Sequence, residues 1–298
     1  MGANLKEVRE RIKSVKSTQQ ITKAMKMVSA AKLRRAQDAI TRMRPYSNKL
    51  NSMLTNILSN LDGDASTSFG QEREIENVMI VVVTSSRGLC GAFNTNVIKA
   101  ALRTVEEKYQ KQLAAGKVSV MCLGKKGYDS FKKRSEFKLV TDYVDIFSDL
   151  SFDNVAQVSQ RLMDSFENKE FDAIEVCYGR FKNAAMQFAE ADPFLPVAKL
   201  ETTPGETKMK ADYIFEPSEE ELLKHLVPSI LQTQFQKYLL DTHASEHGAR
   251  MTAMDKATEN AEDMLKDLKI SYNKARQEAI TRELSEIVGG AAALEGGG

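Results

Sequence analysis

The chain has 298 residues, of which 42% are hydrophobic and 28% charged, so it can bury a core in one or two domains and is not disordered as a whole. Its 42 basic and 41 acidic side chains leave a net charge of +1, which excludes a general electrostatic case for nucleic-acid binding. Three widely separated cysteines include no C-x-x-C pair and predict reduced thiols instead of a disulfide framework.

Neither a membrane span nor a secretory signal is predicted. No apolar run approaches the roughly 20 residues that a membrane-spanning helix needs. The opening MGANLKEVRERIKS lacks the apolar segment of a secretory signal. We therefore expect a cytoplasmic protein that could still dock on a membrane-bound assembly.

The first predicted element is one long helix over residues 1–61. From residue 5 onwards, apolar or small residues recur at spacings of three and four, which indicates a helix with a continuous seam. Roughly 55 residues would extend about 80 Å. Pro45 is interpreted as a kink, because the seam keeps its phase on both sides of it. The clearest seam positions are Met25, Ser29, Leu33, Ala36, Ile40, Met43, Tyr46, Leu50, Met53 and Ile57.

This amino-terminal helix is strongly basic. Residues 1–50 hold thirteen Lys or Arg against three acids, a local net charge of +10. Such a helix could bind phosphates, but Tyr46 is the one aromatic residue in an Ala- and Met-rich pattern. The pattern favours a solvated or protein-facing helix and leaves a nucleic-acid-binding coiled coil as an alternative.

Residues 76–215 predict a central α/β domain. The β-branched run ENVMIVVVTS indicates a buried strand, and strands alternate with helices after it, which is typical of a doubly wound, mostly parallel, Rossmann-like sheet. The later segments are a helix over 94–113, strands over 117–124 and 136–144, a helix over 152–168, and strands over 171–183 and 185–197.

A second long helix is predicted over residues 217–288, followed by a flexible tail over 289–298. Ser218 and the acids after it form a good helix start. Two helices of this length at opposite ends of one chain predict an antiparallel coiled coil, because the central domain lets the chain return. The seam of the second helix is Leu223, Val227, Ile230, Tyr238, Ser245, Ala249, Ala253, Ala257, Ala261, Met264, Leu268, Tyr272, Ala275 and Leu284.

Two glycine-bearing loops are candidates for a nucleotide site. SSRGLCGAFN lies between a strand and a helix but supplies only Gly88 and Gly91, without the G-x-G-x-x-G spacing. GKKG at 124–127 lacks the Walker frame. Structural turns are favoured at both, and a nucleotide-binding α/β enzyme remains the alternative.

His243 and His247 lie four residues apart with Glu246 beside them, in the order H-A-S-E-H. This differs from the H-E-x-x-H arrangement of a zinc site, and no third ligand is evident. We expect a polar helix surface here. No catalytic, cofactor or metal-binding residue is predicted.

Several segments together resemble one family. KEVRERIKSVKSTQQITKAMKMVSAAKLRRAQ, RPYSNKL, SSRGLCGAFN and the stretch from ASEHGARM to VGGAAAL look like the ATP synthase gamma subunit, in order and over nearly the whole chain. The most specific match is the carboxyl-terminal pattern I-T-x-E-x-x-E-x-x-x-G-A. Its positions are filled by Ile280, Thr281, Glu283, Glu286, Gly290 and Ala291.

The resemblance implies a non-catalytic rotor subunit of a proton-translocating F-type ATP synthase, without a cofactor of its own. Its coiled coil would turn inside a ring of three alpha and three beta subunits, and its α/β domain would meet the epsilon subunit and the membrane c-ring. That would place it at the cytoplasmic side of a bacterial cell membrane, as a peripheral protein that binds no nucleic acid. The residues implied to contact the ring are Met25, Lys26, Lys32, Arg34, Arg35, Arg250, Arg276, Gln277, Thr281 and Glu283.

Overall fold

The computed structural model describes residues 5–60, 68–70, 73–197 and 219–295. The chain divides into two compact units, one made of Met1–Val28 with Met251–Gly298 and the other of Ser29–Arg250. Parts of the predicted boundaries, including 198–215, 217, 218 and 296–298, lie outside the described residues.

The larger unit contains a five-stranded sheet in the order β3-β2-β1-β4-β5. β1 pairs in parallel with β2 and β4, and β2 with β3, whereas β5 is antiparallel to β4. The prediction of a mostly parallel α/β sheet is confirmed. The strands are β1 Val78–Val83, β2 Val118–Leu123, β3 Lys138–Val140, β4 Ala173–Phe181 and β5 Gln187–Leu195.

Strand β1 is apolar throughout because both of its faces are covered. Met79, Val81 and Val83 join one buried cluster, and the alternating residues join a second cluster on the opposite face. Helix α2, Phe93–Lys108, contributes to the second cluster, and helix α5, Phe152–Glu167, to the first. A strand between two helical layers needs no polar face, which explains the VMIVVV run.

Two predicted elements differ in extent. The helix expected over 94–113 is divided into α2 and α3, Gln110–Ala114, by Tyr109, which is non-helical. The Tyr109 hydroxyl donates a 2.9 Å hydrogen bond to the buried carboxylate of Glu175, a tertiary contact at the point where the helix is interrupted. The strand expected over 136–144 is limited to β3. The remaining short elements are helix α4, Lys125–Phe131, and 3₁₀ turns at Ser68–Gly70 and Ile146–Ser148.

The two long helices are α1, Leu5–Asn60, and α6, Glu219–Glu295, and α1 continues through Pro45. Helix α6 extends past Gly289 and Gly290, where the sequence predicted a flexible tail from 289. Glycine disfavours a helix by roughly 1 kcal/mol per residue without forbidding it, and the alanines that follow favour it.

Within the larger unit, the α1 seam is nearly as predicted. Leu33, Ala36 and Ile40 are buried, and Leu50 packs in the same cluster as α6 residues. The prediction for Tyr46 was wrong, since it is exposed, and Ser47 takes the half-buried position between Met43 and Leu50. The helical period places Ser47, four residues after Met43, on the buried face at this point. Ile57 has no described side chain.

Candidate functional site

The smaller unit is an antiparallel pair of helix segments. Moving along α1 from Arg9 through Thr22 to Lys26, the partner on α6 moves back from Tyr272 to Thr258 to Asp255. Arg9 donates to the Tyr272 hydroxyl at 3.1 Å, the Thr22 and Thr258 hydroxyls lie 2.8 Å apart, and Lys26 forms an ion pair with Asp255. These contacts fix the direction and register of the predicted coiled coil.

The seam of this pair mixes apolar and polar residues. Val8, Met254 and Ala261 are buried, and so is Thr22, whose hydroxyl faces Thr258. A polar pair at a seam position costs stability but selects one register. Neither threonine is among the predicted seam positions.

Met264 of the predicted α6 seam was assigned to the wrong face. Met264 is 53% exposed, and its neighbour Leu265 is half-buried instead. The step from Ala261 to Leu265 and then Leu268 matches the helical period better.

The end of α6 is exposed on every side. Each residue of 280–291 is exposed, which contradicts the seam position predicted for Leu284. Adding a Cβ at Gly289 or Gly290 would meet nothing within 4 Å. A run of large apolar side chains in water marks a surface that another protein covers. Its members are Ile280, Leu284, Ile287 and Val288.

The implied contact residues near this end also face outward. Arg276, Gln277, Thr281 and Glu283 are exposed, and the Thr281 hydroxyl donates to the Gln277 carbonyl at 2.9 Å. Their side chains are available to a partner, apart from this one bond within the helix.

The implied contact residues on α1 differ in exposure. In the smaller unit, Met25 is half-buried and Lys26 is paired with Asp255. In the larger unit, Lys32, Arg34 and Arg35 are exposed and form a basic surface. A contact of Lys26 with acidic partner segments would compete with Asp255, which already pairs with it.

Arg250 is buried in the larger unit, with 6% of its surface exposed. Its Nη1 donates to Glu246 at 2.7 Å, its Nη2 to the Arg87 carbonyl at 2.8 Å and its Nε to the Gly88 carbonyl at 3.1 Å. The guanidinium is thus occupied inside the chain. A contact of Arg250 with another subunit stays a prediction.

His247 and Glu246 are buried and His243 is half-buried, so the expectation of a polar helix surface was wrong. The imidazole Nε2 atoms of the two histidines lie 3.1 Å apart, and His247 Nδ1 is 3.3 Å from Arg250 Nη1. Burial lowers the pKa of both histidines, and the nearby charges of Lys32 and Arg250 lower it further. Burial also raises the pKa of Glu246, although Arg250 opposes that rise.

The loop between β1 and α2 is a structural turn built from its own polar groups. Asn94 accepts from the Ser85 amide at 2.9 Å, and the Ser85 hydroxyl donates to the Arg87 carbonyl at 2.6 Å. Leu89 and Gly91 both have positive φ, which brings the chain sharply around. The Arg87 and Gly88 carbonyls accept hydrogen bonds from the guanidinium of Arg250. A phosphate-binding loop would instead present its amide groups to the ligand.

The described ranges contain no group of three or more His, Cys, Asp or Glu residues arranged to hold a metal ion. Among the same residues, no helix is both long and apolar enough to cross a bilayer. The features that could act on a partner are the helix pair, the exposed end of α6 and the basic surface of α1.

Comparisons with known proteins agree on one family. Residues 4–294 match the family described as ATP synthase. The ATP synthase gamma chain of Cytophaga hutchinsonii is 53% identical over 98% of this chain and 99% of its own length. That of Flavobacterium psychrophilum is 54% identical over 99% of this chain and 100% of its own length.

Solved structures share the fold. A chain in the Euglena gracilis mitochondrial ATP synthase, in a structure of OSCP, F1 and the c-ring, aligns with a TM-score of 0.65 at 22% identity, covering 98% of this chain and 95% of that one. A chain of the Tetrahymena thermophila mitochondrial ATP synthase, from the central stalk and c-ring, aligns with a TM-score of 0.54 at 20% identity, covering 80% and 99%.

Proposed function

Since the chain belongs to the family of ATP synthase gamma chains, we propose that it is the central rotor subunit of a proton-translocating F-type ATP synthase. It is non-catalytic and carries rotation between the membrane ring and the three catalytic beta-subunit sites, in either ATP synthesis or hydrolysis. The observation that carries the proposal is the antiparallel helix pair of the smaller unit, with α6 continuing as a helix exposed on every side.

The exposed end of α6 fits the task of turning inside a sleeve. Its apolar side chains would be covered by a close ring of partner subunits. Gly289 and Gly290 have no side chains that could interlock with that ring. A rotating helix needs its apolar side chains covered by partners without tightly interlocked packing. Close shape complementarity would stabilise one rotational position too strongly. Small residues and exposed aliphatic residues together supply that coverage.

The mechanism is linkage between rotor angle and nucleotide affinity. An asymmetric helix pair presents a different face to each of three equivalent sites, and so stabilises a different conformation at each. A tenfold difference in affinity requires about 1.4 kcal/mol of differential contact. Rotation moves those contacts from one site to the next.

The proposed partners follow from this role. Three alpha and three beta subunits would surround the helix pair, formed by 1–61 and 217–288, while the α/β domain, 76–215, would meet the epsilon subunit and the c-ring. The chain would therefore be a peripheral part of the membrane complex, on the cytoplasmic side of a bacterial membrane.

The proposed ring contacts fall into three groups. The exposed basic residues of α1, with Lys26, would attract acidic beta-subunit segments. Met25 and Arg250 would contribute to the contacts that transmit torque. The exposed residues of the α6 end would transmit torque, namely Arg276, Gln277, Thr281 and Glu283.

The test is reconstitution of the full chain with alpha and beta subunits. We expect the full chain to co-purify with them and to sustain steady ATP hydrolysis. A chain ending at Glu278 should still assemble but couple proton flow to ATP synthesis poorly, and a control chain ending at Glu295 should behave like the full chain. Full coupling by the shorter chain would refute the torque role of the α6 end.

The alternatives have their own outcomes. Failure of the full chain to assemble, combined with a rise in melting temperature on adding NAD or ATP, would favour a nucleotide-binding protein. Failure to assemble, combined with tight DNA binding that weakens steeply with salt, would favour a nucleic-acid-binding coiled coil.

A further inference from the structure

We propose that Arg250 is an internal transmission residue, which ties the β1–α2 loop to α6 so that torque passes between the sheet and the long helix. This role rests on the proposed rotor function, but the tie itself can be tested in the chain alone. It differs from the ring contact implied for the same residue by resemblance.

The hydrogen bonds define the tie. The guanidinium donates to two successive loop carbonyls, those of Arg87 and Gly88, and to Glu246 one helical turn away. Glu246 accepts from Nη1 of the guanidinium, and Nε and Nη2 face the loop carbonyls. The planar fork of arginine serves these directions at once, whereas the single nitrogen of lysine cannot reach all three.

The loop is well placed to carry force. It begins where β1 ends, and β1 is the central strand of the sheet, paired on both edges. It ends at the start of α2, which packs on that sheet. This loop is therefore one path by which a load on the sheet can reach α6. Because Arg250 and Glu246 are both buried, water competes poorly for these bonds.

His247 acts as the positioning residue for Arg250. Its Nδ1 faces Arg250 Nη1, and a guanidinium nitrogen can only donate, so Nδ1 accepts. The proton of His247 then lies on Nε2 and is donated to His243 Nε2. The bonds run in one direction from Arg250 to His247 to His243. A positive charge on His247 would oppose this order, because the charges of Arg250 and Lys32 already lie nearby.

The first experiment measures amide hydrogen exchange in the full chain and in Arg250→Lys and Arg250→Gln. The reporters are the amides of Ser85 and Phe93, which are bonded within the loop. We expect both to exchange at least tenfold faster in either variant, while the Val120 amide in β2 is unchanged. The matched control is Arg103→Gln, because Arg103 forms an exposed ion pair with Glu107 on α2. Unchanged exchange at both reporters would overturn the tie.

The second experiment isolates His247. His247→Gln keeps an acceptor for Arg250 and should retain most of the slow exchange at Ser85. His247→Leu removes the acceptor and should speed that exchange severalfold. Equal exchange in the two variants would show that His247 only fills space.

The third experiment uses the assembled complex. Arg250→Lys should lower proton-driven ATP synthesis several times more than hydrolysis in the detached alpha–beta–gamma assembly, where no load reaches the sheet. Loss of both activities to the same extent would assign Arg250 to the ring contact and overturn the transmission role. If wild-type chain fails to assemble while the exchange result holds, the rotor function fails and the tie stands as a structural bond.

Discussion

Arg250 and its neighbours show what residue types alone do not reveal. His243, Glu246, His247 and Arg250 recur at three- and four-residue steps and so share one face of α6. Charged residues in this pattern are usually exposed, and a polar helix surface was predicted for the two histidines and Glu246. Arg250 is hydrogen-bonded to the β1–α2 loop, more than 150 residues away along the chain, and local pattern carries no information about such a contact.

The buried histidines predict a specific pH dependence of stability. Their pKa values are lowered below the ordinary 6.5, so the unfolded chain takes up protons that the folded chain does not. The histidine contribution to stability is complete above pH 6.5 and is lost as pH falls through and below it. At one unit below, the loss is on the order of 1 kcal/mol per histidine.

Urea unfolding of the full chain at several pH values would measure this effect. We expect the free energy of unfolding of the wild type to fall more between pH 7.5 and 5.5 than that of a His243→Gln, His247→Gln double variant. The control is His225→Gln, because His225 is exposed. Parallel curves for the wild type and the double variant would contradict the prediction.

A second prediction at this scale concerns Gly124, which immediately precedes α4 and has a φ of 106°. A Cβ there would lie 2.1 Å from the Thr84 carbonyl oxygen, a backbone atom that cannot move aside. Gly124→Ala should therefore lower the free energy of unfolding by more than about 3 kcal/mol. Gly116, also at positive φ but with nothing within 4 Å, is the control. Gly116→Ala should cost only about 1 kcal/mol, from backbone strain alone, and equal losses at the two sites would refute the steric argument.

At the scale of elements, the predictable parts were those dictated by periodicity. The apolar run of β1 and the amphipathic pattern of α5 each lead to one conformation, and the structure has both where expected. The predictions failed where a distant contact decides. Tyr109, whose hydroxyl bonds to Glu175, lies where α2 ends, and only three residues of the predicted strand pair with β2.

The helix pair of the smaller unit allows a prediction about its polar layer. The Thr22 and Thr258 hydroxyls bond to each other across the seam. Thr22→Val or Thr258→Val alone should lower the free energy of unfolding by about 1 kcal/mol, because each leaves a hydroxyl facing a methyl group. The double variant should recover most of that loss, giving a coupling energy near 1 kcal/mol in a double-mutant cycle.

Urea unfolding of the four chains is the measurement. Thr18→Val is the matched control, because Thr18 is exposed and bonds only within its own helix turn. Strictly additive losses in the double variant would show that the two hydroxyls do not stabilise each other.

For the whole molecule, charge distribution matters more than total charge. The net charge is only +1, yet the first fifty residues carry +10, so attraction to an acidic partner should be local. An Arg34→Gln, Arg35→Gln variant should associate with alpha and beta subunits several times more slowly at low ionic strength, and the difference should shrink as salt is added.

Stopped-flow association at two salt concentrations would measure these rates. A Lys99→Gln, Arg103→Gln variant removes the same charge from exposed positions on α2 and should associate at the wild-type rate. If both variants associated equally slowly, the effect would depend on the total charge of the chain and not on the position of the basic residues.

The bare end of α6 has a consequence for the cell that makes this chain. Aliphatic side chains at this end are exposed to water in the isolated chain, and Ile287 is 68% exposed. Such exposure favours self-association and lowers solubility. Surplus chain should therefore precipitate or be degraded, while chain enclosed by its partners should persist. Synthesis of this protein would then have to keep step with that of the subunits that shelter it.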